Sequence, residues 1–266
     1  MIPIDDPADP RIEVFLGLRD HHARQLREQP GGDMAGQFIC EGDLVIERAV
    51  QHGFELRSIL LSARRTKPLP EAFASVDVFA ANDEVLTTVT GRPELREPLA
   101  CFVRPPLPRA EQLLEQHRTF AILEGINNPN NLGVIMRNAA ALGVEAVLLD
   151  PTCGDPLYRR AIRASMGQVF ALPHARLGPL PEALAAIHDG GVETIALTPR
   201  GEIELQDVAP VGRIALLLGA EGPGLTDATL DAVTTRARIQ MHNDVDSLNV
   251  AAAAAIAFHH VVGRTT

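Results

Sequence analysis

Residues 239–262 read IQMHNDVDSLNVAAAAAIAFHHVV: an apolar strand end, a polar loop and an alanine-packed helix in succession. Ser247 is a good N-cap residue, and Val250 to Ile256 holds no glycine or proline and little β-branching, so a helix is expected to begin near Ser247. Asn249 then falls two residues inside that helix, where capping does not account for it. Five consecutive alanines, 251–255, fill little volume but let another backbone come close, although plain helix propensity favours them equally.

Whatever covers this helix comes from upstream. There, expected strands at 119–123, 145–149, 168–172, 193–197, 213–218 and 237–241 alternate with expected helices at 110–117, 132–142, 156–165, 181–188 and 226–232. Such alternation predicts a parallel sheet covered on both faces, with ligands outside the carboxyl ends of its strands. Three polar loops leave such ends: EGINNPNN (124–131), GAEGPG (219–224) and HNDVD (242–246). GAEGPG is neither GxGxxG nor GxxxxGK[ST]; it lacks lysine and carries Glu221, which repels phosphate. It reads either as a plain glycine turn or as a backbone cradle for a ligand without net negative charge. Asn127 to Asn131 serve turn and cap chemistry. Arg137 is different: it sits among Leu132, Val134, Ile135, Met136, Ala139 and Ala140 and needs solvent or an anion.

The first half repeats the pattern on a smaller scale. Expected strands at 37–40, 56–61, 76–80 and 99–103, with helices at 43–52 and 82–90, make a small α/β layer domain, preceded by a helix over 11–29. RPPLPR, residues 104–109, is a proline-stiffened linker, and the expected domains are 1–108 and 109–266. The net charge of −10 is shared equally, with 12 basic and 17 acidic residues on each side of that boundary, which speaks against bulk electrostatic attachment to nucleic acid. Local clusters remain: Arg57, Arg64, Arg65 and Lys67 in one stretch, Arg159, Arg160, Arg163 and Arg176 in another. Apart from Lys67, every cation is a guanidinium suited to bidentate phosphate contact. No apolar run approaches the ~20 residues of a membrane span. The acidic, proline-broken MIPIDDPADPR is unlike a signal peptide, so a cytoplasmic protein without a membrane partner is expected. Cys40, Cys101 and Cys153 are far apart without a CxxC pair and read as core residues. His21-His22 and His259-His260 lack a partner at ligand spacing, so no metal is expected.

Taken together, NNLGVIMRNAAALG (130–143), LLLGAEGPGL (216–225) and IQMHNDVDSLNVAAAAAIA (239–257) resemble the three motifs of the SpoU/TrmH family of S-adenosylmethionine-dependent RNA ribose methyltransferases, in the SPOUT superfamily. The resemblance spans 119–260. GQFICEGDLVIERAVQHGFELRSILLS (36–62) is similar to the family's ribosomal-protein-L30e-like substrate-recognition domain, which favours rRNA over tRNA. The implied fold class is α/β: an N-terminal L30e-like α/β domain, then a SPOUT α/β domain with a parallel sheet and a C-terminal deep trefoil knot. The implied assembly is a homodimer.

The resemblance assigns the family's catalytic positions to Asn131, Arg137, Glu221, Ser247 and Asn249, and its cofactor contacts to Thr198, Gly219, Ile239, Met241 and Leu248. RNA contacts are expected from Arg64 and Arg65 and from Arg159, Arg160 and Arg163, which one helical side could present together. The chain departs from the family's usual IPM at Gln240 and from RxSxGA at Gln168. The implied reaction is methyl transfer to a ribose 2′-OH in structured RNA, foremost 23S rRNA; a tRNA methyltransferase and a non-catalytic RNA-binding module are the alternatives. In that displacement the protein positions the groups and removes a proton. The family's proposed base is the arginine at Arg137, but a guanidinium pKa above ~12 suits a bidentate phosphate clamp equally well.

Overall fold

The computed structural model describes residues 1–18, 27–28, 31–73, 76–91, 97–209, 212–243 and 245–262. It divides into two compact units, Met1–Pro106 with Leu157–Phe170, and Leu107–Pro156 with Ala171–Thr266.

The first unit contains β1 (Ile2–Ile4), β2 (Gln37–Glu41), α1 (Asp43–Gln51), β3 (Leu56–Ser62), β4 (Asp77–Ala81), α2 (Asp83–Thr90) and β5 (Leu99–Val103). Its sheet runs β1-β4-β3-β5-β2; β1, β4 and β3 are parallel, and β5 pairs antiparallel with β3 and β2. β1 comes from the N-terminus expected to be irregular, and Pro3 is tolerated there because β1 lies at the sheet edge. Where a helix over 11–29 was expected, Pro10–Phe15 forms a 3-10 turn capped by Asp9, burying Ile12 and Phe15; residues 19–26 and 29–30 lie outside the described residues.

In the second unit α3 (Ala110–Gln116), β6 (Thr119–Glu124), α4 (Pro129–Ala141) and β7 (Ala146–Leu149) come first. The chain then gives α5 (Arg159–Ala164) and a 3-10 turn, Gln168–Phe170, to the first unit, a membership that the linker at 104–109 does not predict. The reason is aromatic and ionic: Phe170 packs against Phe38 and Phe54, with centroids 5.8 and 4.9 Å away, and Arg159 pairs with Glu41. This turn replaces the strand expected at 168–172. Met166 and Gly167, at φ 53° and 79°, reverse the chain immediately before it.

The second unit resumes with β8 (His174–Arg176), α6 (Glu182–Asp189), β9 (Val192–Leu197), β10 (Ile203–Glu204), β11 (Arg213–Gly219), α7 (Asp227–Ala232), β12 (Thr235–Arg238) and α8 (Val250–Val261). Its sheet, β10-β12-β9-β11-β6-β7-β8, is parallel at every pair, as the alternation predicts. β6 and β7 are buried at every position because both faces are covered. Phe120, Ile122, Leu148 and Leu217 join Leu184 and Ile187 of α6 in one core, and α8 packs on α4 and β11. From β6 the chain progresses to β7 and β8 on one side, while β11, β9, β12 and β10 lie on the other. The order therefore reverses between β6 and β11, where loops leaving adjacent strand ends diverge and open a crevice.

Candidate active site

Glu124 ends β6. The next residue, Gly125, takes φ 68° and donates its N–H to Asp150 Oδ1 at 3.0 Å. Ile126 N–H reaches Cys153 Sγ at 3.3 Å, and Gly154 N–H returns to Ile126 O at 3.0 Å. Burial alone would raise the Asp150 carboxyl, but hydrogen bonds from Gly125, Thr152 and Cys153 outweigh it and hold it below the usual value. Burial pushes the Cys153 thiol up to about 12. Asn128 then caps α4 by accepting from Asn130 N–H at 2.9 Å, with Pro129 at the first helical position. Hence α4 begins before Leu132, and Asn131 lies in its first turn. Leu132, Ile135, Met136 and Ala139 are buried; Arg137 is exposed and makes no hydrogen bond or ion pair among the described residues.

In the second loop Ala220 and Gly224 form an antiparallel bridge just past the end of β11. A Cβ on Gly219 would lie 2.2 Å from Gly224 C and Leu225 N, so the turn closes only over glycine. Its tip presents Glu221.

The third loop corrects an expectation. Ser247 does not cap the terminal helix; Asn249 does, its Oδ1 accepting from the N–H groups of Ala251 and Ala252 at 3.0 and 3.3 Å. Asparagine caps as well as serine, and starting at Val250 leaves the Asn249 amide facing the other two loops. Its Nδ2 donates to Asn131 Oδ1 at 3.0 Å and to Glu221 Oε1 at 2.6 Å. All three loops thus meet on one carboxamide. Beside it lies a cavity of about 430 Å³ lined by Thr198, Gly219, Ile239, Met241 and Leu248, with Glu221, Ser247 and Asn249 at its polar end. The strand expected at 237–241 stops at Arg238, freeing Ile239 and Met241 from the ladder to face the cavity. Asn131 and Arg137 do not line it; Asn131 reaches it through Asn249. Sequence reading missed Val250 and Ala253, which also line it, although the alanine run was the available signal.

The model of the SpoU rRNA Methylase family matches residues 118–259, which carry all three loops. The chain belongs to this family. It is 41% identical over 260 residues, 96% of this chain and 89% of the relative, to an uncharacterised tRNA/rRNA methyltransferase of Mycobacterium tuberculosis. It is 25% identical over 253 residues, 95% of this chain and 99% of the relative, to the 23S rRNA (guanosine(2553)-2′-O)-methyltransferase RlmP of Bacillus subtilis. Among solved structures, the AdoMet-bound rRNA methyltransferase from Sinorhizobium meliloti superposes with a TM-score of 0.79 at 25% identity, covering 97% of this chain and 96% of that one.

The arginines expected on RNA divide in this SpoU family member. Arg159 donates to Glu41 Oε2 at 2.7 Å and to Leu18 O at 3.0 Å, and its side chain is 15% exposed. Arg65 is bound to the buried Asp43 at 2.8 Å, as is Lys67. Arg159 and Arg65 are thus each held by a carboxylate distant in sequence that folds against them. Arg160 and Arg163 remain exposed, as does Arg64, which pairs with Asp83 at 2.9 Å. Among the described residues no helix is long and apolar enough to cross a membrane, and no group of three or more His, Cys, Asp or Glu could hold a metal ion.

Proposed function

We propose that this chain transfers a methyl group from S-adenosylmethionine to a ribose 2′-OH of structured RNA, with 23S rRNA as the target. The observation that carries this reading is the junction at Asn249, where Asn131 and Glu221 meet beside a cavity walled by backbone and apolar side chains. Among the described residues the cavity lining holds no Lys or Arg and one carboxylate, Glu221, a set that suits a cationic sulfonium and disfavours a phosphate. Thr198, Gly219, Ile239, Met241 and Leu248 would hold the cofactor, which when bound supplies an electrophilic methyl. Asn249 holds Glu221 and Asn131 in fixed relation, and Ser247 offers a hydroxyl at the cavity edge. Arg137, exposed on α4, is placed to take a phosphate bidentately and so orient the 2′-OH, or, only once its guanidinium has given up a proton to solvent, to receive the proton of the 2′-OH. Arg137→Lys separates these roles. Retained RNA affinity with abolished transfer counts against a clamp alone; affinity falling in step with rate counts against the base.

The reading extends to the architecture. Residues 1–108 act as the L30e-like RNA-recognition domain, Arg64, Arg160 and Arg163 supply phosphate contacts, and residues 109–266 form the knotted SPOUT domain. The relative's 23S rRNA activity supports rRNA over tRNA, and an rRNA substrate implies a cytoplasmic enzyme. Val134 on α4 and Ile256 on α8 are exposed at 36% and 43%, which supports a homodimer mated through these helices. Mapping ribose methylation in RNA from a strain lacking the protein, then restoring it with purified enzyme and S-adenosylmethionine, tests the proposal. One missing 2′-O-methyl that the enzyme restores is expected. An unchanged methylation map, or cofactor binding without transfer to rRNA or tRNA, would sink it.

A further inference from the structure

We infer that Glu124, which lines no part of the cavity, is a positioning residue that sets the shape of the cofactor-binding turn. The inference rests on the proposed cofactor reading. Glu124 is buried, and among the described residues it forms no ion pair. Its oxygens are engaged by neutral donors: Thr226 N–H lies 3.0 Å from Oε2, and the hydroxyls of Thr226 and Thr229 each lie 2.9 Å from Oε1. Each hydroxyl has a single proton to give: that of Thr226 is shared between Glu124 Oε1 and Thr229 Oγ1, both 2.9 Å away, while Thr226 Oγ1 accepts the N–H of Thr229 at 3.2 Å as the cap of α7.

The placement of these bonds gives them consequence. The turn 219–225 leaves β11 at Gly219, which is in register with Glu124 on β6, and it ends one residue before Thr226. The ladder at Glu124 therefore fixes the entry of the turn, and the Glu124 side chain fixes its exit. Within that turn lie Gly219, Ala220, Glu221, Gly222 and Gly224, five residues of the cavity wall. Gly219 has no room to adjust, since even a Cβ there would strike Gly224 C at 2.2 Å. A shift at Thr226 consequently moves the wall. Glu124 also ends the strand from which Gly125 begins the first loop, so both loops are referred to one residue.

Glu124→Gln keeps the shape but offers one acceptor oxygen in place of two: with the amide NH₂ towards Thr226 the backbone N–H loses its acceptor, and with it towards the hydroxyls the Thr229 hydroxyl proton does, while the Thr226 hydroxyl can turn to Thr229 Oγ1. The test is calorimetric binding of S-adenosylmethionine to the folded full-length chain well below its melting temperature, with Tm read in parallel. Glu124→Gln is expected to weaken binding about tenfold, equivalent to 1.4 kcal/mol. Thr229→Val is expected to weaken it severalfold, and Thr229→Ser, which restores the hydroxyl, to bind within twofold of the parent. In the double variant Glu124→Gln with Thr229→Val the orphaned hydroxyl is gone, so affinity should recover above that of Glu124→Gln alone. A purely structural Glu124 would lower Tm in these variants while leaving the affinity of folded protein unchanged, and that result overturns the inference. If Glu124→Gln does not fold, the Thr229 pair decides alone, with equal affinity for Val and Ser overturning it. No binding by the unsubstituted chain would instead overturn the cofactor reading, and this inference with it.

Discussion

Arg137 on α4 and Arg159 on α5 make an instructive pair. Both stand near apolar neighbours in helices of this chain, yet Arg159 is held by Glu41, 118 residues away in sequence, whereas Arg137 is exposed without a bonded partner among the described residues. In sequence the cluster around Arg159 reads as a nucleic-acid surface or a solvated face, and Arg137 as a solvated arginine or the family's catalytic position. The fold shows that density of arginine says little about availability, because the neutralising carboxylate arrives from elsewhere in the chain. Arg137, exposed and without a bonded partner among the described residues, is the arginine to which the proposed reaction gives a role.

The contrast breaks most sharply at Arg137. Arg137→Ala should lower methyl transfer roughly a thousandfold, about 4 kcal/mol, while Tm stays nearly unchanged; radiolabelled methyl incorporation and circular dichroism check this. A Tm loss without a rate loss would make Arg137 structural. Arg159→Ala should do the opposite. Taking Arg159 away from Glu41, itself 9% exposed, should cost about 3 kcal/mol in urea unfolding, the low end for a broken buried pair because Arg163 stands 3.6 Å from its other oxygen. Undiminished stability with collapsed RNA binding would erase the contrast. A smaller effect is expected when Arg160→Ala and Arg163→Ala are combined: RNA affinity falls severalfold, and the log–log salt slope flattens by roughly 1.8 if each contacts one phosphate. An unchanged slope would remove α5 from the RNA surface.

The smallest effect concerns Asp150, held by neutral donors where Glu41 is held by a guanidinium. Its folded pKa is depressed, so its contribution is fully present above the unfolded value near 3.8 and is lost as pH falls through the lower folded value. Asp150→Asn should therefore remove part of the stability at neutral pH and shallow its decline below about pH 4. Identical acid limbs for both proteins would show that these hydrogen bonds add nothing.

Much of the second unit was legible because a parallel sheet buried on both faces leaves continuous apolar runs, such as Phe120 to Leu123 and Ala146 to Leu149. The three loops were legible too, since asparagine and glycine cluster at the strand ends. Less visible were features decided by distant partners. VFAL at 169–172 has strand composition, but Phe170 finds Phe38 and Phe54 and the backbone turns. Asn249 was misjudged by two residues for a local reason: Ser247 satisfies the same capping rule, and only the amide's second set of partners separates them. Glu124 gave no signal at all, because its three donors lie 102 and 105 residues onward.

The Asn249 carboxamide has a kinetic consequence as well. One side chain both starts α8 and joins segments separated by 118 and 28 residues, so helix initiation and assembly of the junction are a single event. The junction cannot be complete until α8 has started, so the first appearance of cofactor binding during refolding would time the arrival of the last helix.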